Sequence, residues 1–111
     1  MAKEKAFEIR DLDEREVFRL ILDHFGLKPQ LIVTMEECSE LIKACSKYLR
    51  SQLSPEIDES KAIIGIAEEI ADVEIMTSQL KYFLQIGDLV NTNKRLKLMK
   101  ITSHIINSRC G

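Results

Sequence analysis

Apolar positions recur at helical spacing through most of the chain. Over residues 13–25, Val17, Leu20, Ile21 and Phe25 fall on one side of a helix. Gly26 stops that helix, and Pro29 just beyond it marks the start of the next. Residues 29–51 predict a second helix. In it Leu31, Met35, Cys38, Ile42, Cys45 and Leu49 advance by alternate steps of four and three, the stripe expected to pack along another helix. Residues 52–60 are polar and centred on Ser54-Pro55, which reads as a turn. A third helix is expected over 59–86, ended by Gly87. Its stripe is Ile63, Ile66, Ile70, Val73, Thr77, Leu80 and Leu84, widened by Ile64, Ala67, Ala71 and Ile75. A helix so apolar is expected to be central, buried on more than one side. The fourth, over 88–107, has Leu98, Ile101 and Ile105 expected inward, with Lys94, Arg95, Lys97 and Lys100 near its middle.

Four helices with short connections predict an all-α fold, an antiparallel four-helix bundle, in one domain spanning residues 1–111, with 1–12 frayed. Length agrees: 111 residues make one domain. Only 4 Gly and 2 Pro, with no Trp, count against a β-sandwich or barrel. A bundle this small with such apolar helices is expected to complete its core with further copies, as a homodimer or homotetramer. A net charge of −2 gives no reason to expect nucleic acid or an acidic membrane as partner. No apolar run approaches the roughly 20 residues of a membrane span, and the charged start is unlike a signal peptide. Cys38, Cys45 and Cys110 form no disulfide framework. Cys38 and Cys45 lie about 10 Å apart along a helix, and Cys38 is expected as a buried small apolar residue. A reduced, cytoplasmic setting is the expectation. Phe18, Phe25, Tyr48, Tyr82 and Phe83 are expected mostly in the core, and His24 as a cation at the end of the first helix.

The acidic residues change the picture. The second helix carries Glu36, Glu37 and Glu40, and the third Glu68, Glu69 and Asp72. Glu37 and Glu40 are three apart and share a face, as do Glu69 and Asp72. In an antiparallel hairpin, residues at one level have a constant index sum. Glu40 with Glu69 and Glu37 with Asp72 give the same sum, whose midpoint falls between Ser54 and Pro55, the turn expected on other grounds. The two acid pairs are therefore expected to face each other among Met35, Leu41, Ile70, Val73 and Met76. Four carboxylates there repel unless they splay into water or a cation sits between them. Oxygen-only donors suit a hard divalent ion, Mg2+ first and Mn2+ as substitute. The Glu-x-x-His signature of di-iron bundles is missing from the sequence.

Glu36-Glu37-x-x-Glu40 followed by Glu69-x-x-Asp72, set in ELIKACSKYLR and IAEEIADVEIMTSQL, resembles the EExxE…ExxD motif of the MazG-like all-α nucleotide pyrophosphohydrolases. The resemblance covers about residues 27–100. It implies a Mg2+-dependent enzyme that hydrolyses the α–β phosphoanhydride of (deoxy)nucleoside triphosphates to the monophosphate and pyrophosphate, in a house-cleaning or nucleotide-pool role. It implies Glu37, Glu40, Glu69 and Asp72 as metal ligands. Glu36 would be a further ligand, or would share with Glu37 the work of orienting or deprotonating the attacking water. Lys94 and Lys97 match a K-x-x-[KR]-L pattern for phosphate binding, with Asn91 a further contact to substrate. Specificity residues for a particular base have no match here. Two other readings stand beside it: a non-catalytic helical regulatory or interaction module, and a hydrolase of a related pyrophosphate such as phosphoribosyl-ATP.

Overall fold

The computed structural model describes residues 13–110, so the expectation of a frayed 1–12 lies outside the described residues. Within them the chain is all-helical, with α1 (Glu14–Phe25), α2 (Leu27–Ser51), α3 (Glu59–Leu84) and α4 (Gly87–Cys110), and no strand. Each boundary has a local cause. Asp13 caps α1, its side chain accepting from the Arg15 N–H at 3.4 Å, with Glu14 and Glu16 at the positive end of the helix dipole. Gly26, at φ 84°, joins α1 to α2 directly. Pro29 lies inside the first turn of α2, where its missing N–H leaves no helical bond unmade. Asp58 caps α3 by accepting from the Ser60 and Lys61 amides.

Helix α3 ends two residues before its expected stop. Gln85 adopts the left-handed conformation at φ 55°, and the Ile86 and Gln85 amides donate to the Lys81 and Tyr82 carbonyls, a Schellman end. Gly87 then opens α4 instead of closing α3. Helix α4 also runs three residues further than expected, to Cys110.

The main interface is the α2·α3 hairpin, and the expected phase of α2 is corrected there. The residues turned toward α3 are Leu27, Gln30, Thr34, Glu37, Leu41, Ala44, Tyr48 and Ser51, all buried or half-buried. They too step by three and four. The stripe expected inward lies one residue later, rotated by about 100°. It is exposed: Met35 at 71%, Ile42 at 70% and Leu49 at 65%, with Leu31, Cys38 and Cys45 also open to solvent. The α3 side of the seam is Ala62, Ile66, Glu69, Val73, Met76, Leu80 and Phe83, so Ile66, Val73 and Leu80 face inward as expected, whereas Ile63, Ile70, Thr77 and Leu84 do not. Of the widening residues, Ile64, Ala67, Ala71 and Ile75 are exposed.

Helix α1 packs across the α3 end of the hairpin and buries Phe18, whose ring lies 6.0 Å from that of Tyr82. Phe25, expected inside, is outside, edge-on to the His24 ring at 4.5 Å. Among the described helices α4 meets α3 alone, so α3 is central in connectivity. The inward role expected for Leu98, Ile101 and Ile105 is not seen: every α4 residue from Asn91 onward is exposed. Apolar side chains are spread around α4, leaving no single face for α3 to take. The radius of gyration is 19.2 Å, against about 13 Å for a compact domain of this length.

Candidate metal centre on the central hairpin

The hairpin brings together three of the sequence-derived acids. Oxygens of Glu37, Glu69 and Asp72 lie within 4.8 Å of one another, and they are the one group of potential ligands so placed among the described residues. Exposed acids gather this way on many surfaces. What distinguishes these is position: Glu37 and Glu69 occupy the inward stripes of α2 and α3, where their neighbours along each seam are Leu41, Ile66 and Val73. Asp72, three residues after Glu69, turns the cluster toward solvent.

The electrostatics follow from that position. The Glu37 carboxyl is held above its ordinary value, first by partial burial, then by the charge of Asp72 and a hydrogen bond between the two carboxyls, with Glu69 and Glu40 adding to it. Glu69 is raised for the same leading reason, then by Asp72, Glu40 and Glu68. Each influence disfavours ionisation, and none of those influences comes from a cation. A hard divalent ion fits the donor set: three carboxylates, no nitrogen or sulfur, and room for water on the open side.

The other expected residues fall outside this triad. Glu40 stands beside it, close enough to raise both Glu37 and Glu69, but its carboxylate receives a bond from Lys43 Nζ at 3.2 Å. Glu36 is exposed, one position off the seam, and its carbonyl accepts from the Ser39 hydroxyl. Lys94 and Lys97 are exposed on α4, and Lys94 lines a groove there with Asn91, Arg95 and Leu98 that contains no acid. Asn91 also reaches a cleft of about 760 Å³ between α1, the end of α3 and the start of α4, lined by Arg15, Arg19 and Lys81 together with Asp13, Glu14 and Asp23. None of Glu37, Glu69 and Asp72 lines that cleft.

Sequence reasoning missed a set of cations. Lys43, Lys47 and Arg50 on α2 and Lys61 on α3 line a shallow groove of about 320 Å³ that begins at Glu40 and Glu69 and runs toward the 52–58 turn. The signal was available. Each of the four precedes an inward residue (Ala44, Tyr48, Ser51, Ala62) by one position, as Glu36 and Glu68 precede Glu37 and Glu69. That offset places them all on the face opposite the exposed apolar stripe. Among the described residues no helix is long and apolar enough to cross a membrane. No family model matches the chain, and comparisons with curated proteins and with solved structures give no match.

Proposed function

We propose that this chain is a divalent-cation-dependent nucleotide pyrophosphohydrolase of the MazG-like kind. It takes a (deoxy)nucleoside triphosphate and one water to the monophosphate and pyrophosphate, in a house-cleaning or nucleotide-pool role in the cytoplasm. The supporting observation is the convergence of Glu37, Glu69 and Asp72 at a half-buried level of the hairpin, with no cation among the described residues adding to the charges that act on Glu37 and Glu69. These three would hold Mg2+, or Mn2+ in its place, and Glu40 would join them once Lys43 lets go of it. When bound, the ion would supply charge neutralisation of the phosphates and acidification of a water. Glu36, exposed beside Glu37, is free to accept a proton from solvent or substrate water. The hairpin seam orients Glu37 and Glu69, and the apolar residues on either side limit the water around them.

We infer further that the working form is a homo-oligomer, dimer or tetramer. The exposed stripe of α2 and the almost unpartnered α4 support this, because contiguous apolar surface of such extent marks a contact between chains. A pyrophosphate-release screen over natural and oxidised nucleotides with Mg2+ tests the activity. The expected result is turnover that stops in Glu69→Gln and Asp72→Asn while both stay helical. Unchanged turnover in these variants, or none on any nucleotide, would overturn the assignment and favour the non-catalytic interaction module.

A further inference from the structure

We infer that the groove lined by Lys43, Lys47, Arg50 and Lys61 is a polyphosphate-binding channel, continuous with the acidic triad at its inner end. This rests on the proposed function only for the nucleotide nature of the ligand; the capture of a phosphate chain stands on the groove itself. Three observations carry it. First, the charges are aligned. Lys43, Lys47 and Arg50 advance by four and three along one face of α2, spanning about 10 Å, and Lys61 faces them from α3 at a level between Lys47 and Arg50. Second, the floor is cut low. It consists of Ala44, Ala62 and Gly65, and a Cβ added to Gly65 would meet no atom within 4 Å. Third, the groove opposes two sets of like charge. Four cations face the two acids at one end, Glu40 and Glu69, and among the described residues only Lys43 forms an ion pair, with Glu40.

One class of ligand satisfies both ends: a chain of phosphates carrying a divalent ion. Its oxygens would take the fork of Arg50 and the point charges of the lysines, and its metal would take the carboxylates. Lys43, bonded to Glu40 at 3.2 Å, stands at the boundary and could pass from carboxylate to phosphate as the ion arrives. This moves phosphate recognition from Lys94 and Lys97 on α4, which share no groove with the acids, to the α2·α3 hairpin.

The test uses the full chain and inorganic tripolyphosphate, titrated calorimetrically with and without Mg2+. Wild type should bind tripolyphosphate at least tenfold more tightly than orthophosphate, and more tightly again with Mg2+. The triple variant Lys47→Gln, Arg50→Gln, Lys61→Gln should lose at least tenfold in affinity with its helical circular dichroism intact, since all three side chains are exposed. Equal binding by wild type and triple variant would overturn the channel, as would a larger loss in Lys94→Gln, Lys97→Gln. The two proposals fail separately. Metal-free binding that survives while Mg2+ adds nothing sinks the metal centre and keeps the channel. Turnover untouched in the triple variant sinks the channel and keeps the enzyme.

Discussion

Replacing Ile42 by Asp tests whether a second copy covers the outer stripe of α2. Ile42 is 70% exposed in the isolated chain and sits mid-stripe between Cys38 and Cys45. Burying a whole Ile side chain contributes about 1.5–3 kcal/mol, so covering the exposed part contributes about 1–2 kcal/mol. A two-fold dimer repeats the contact, giving about 2–4 kcal/mol for the pair. At 1.4 kcal/mol per decade, the dimer dissociation constant should rise by roughly 30- to 700-fold. That is a floor, because a buried unpaired Asp adds its own desolvation. Sedimentation velocity over a dilution series reads the constant directly, and circular dichroism checks that the helices remain. The hairpin itself should be unaffected, since Ile42 is on its outer side. A wild-type chain that sediments as a monomer at roughly 100 µM, far above the micromolar range of ordinary specific contacts, would refute the reasoning. So would an Ile42→Asp chain that associates like wild type.

Other expected outcomes follow from the acids and the groove. Because Glu37 and Glu69 titrate above their usual value of 4.5, they ionise more easily in the unfolded chain. Their contribution to stability is therefore full below that value and is lost as pH rises through the raised ones. Metal-free melting temperature should fall over this window, and Mg2+ should restore it at neutral pH but not at pH about 4, below the raised values of Glu37 and Glu69, where these two keep their protons. Glu69→Gln should melt higher than wild type without metal and show no Mg2+ heat by calorimetry; a lower melting point would mean the carboxylates are not in conflict. Gly65→Ala should gain about 1 kcal/mol in chemical denaturation, since it removes a helical glycine where a methyl group has space. The same variant should bind tripolyphosphate more weakly, because the methyl group rises from the groove floor. Gln85→Gly should raise stability by about 1 kcal/mol by relieving a left-handed non-glycine residue.

Much of the fold was legible because local chemistry decided it. Asp13, Gly26 and Asp58 each do at a helix end what their side chains, or lack of one, allow. The acids were legible for a related reason: spacing within a helix and index sums across a turn fix their level whatever the packing. The rotation of α2 was not legible. Two stripes run along it one residue apart, and the more apolar, from Leu31 to Leu49, faces out, while Gln30, Thr34 and Glu37 face in. Periodicity fixes the step of a helix but not which of two adjacent stripes its neighbour takes, and a stripe left open to solvent can be as apolar as one packed in the core. The end of α3 was hidden because Gln85 takes a conformation usually left to Gly or Asn. The motif drew the phosphate expectation to Lys94 and Lys97 on α4, and it carries no sign of the cations that share a groove with Glu40 and Glu69, which stand one step before inward residues of the hairpin.

The two buried amides have a last consequence. Gln79 is 2% exposed with its Oε1 unpartnered among the described residues, and Gln30 is buried on α2. Their positions share the level relation of Glu37 and Asp72. A repeat of three and four would let the two rods slide by one heptad with apolar packing nearly preserved. Such a slide would carry the two positions about 10 Å apart, yet it would break no bond between them, since Gln79 Oε1 accepts none in the present register. No amide pair therefore locks the rods in place; the six-residue span from Leu53 to Asp58 is too short to feed a further heptad through the turn, and that tether is what sets opposing acids side by side.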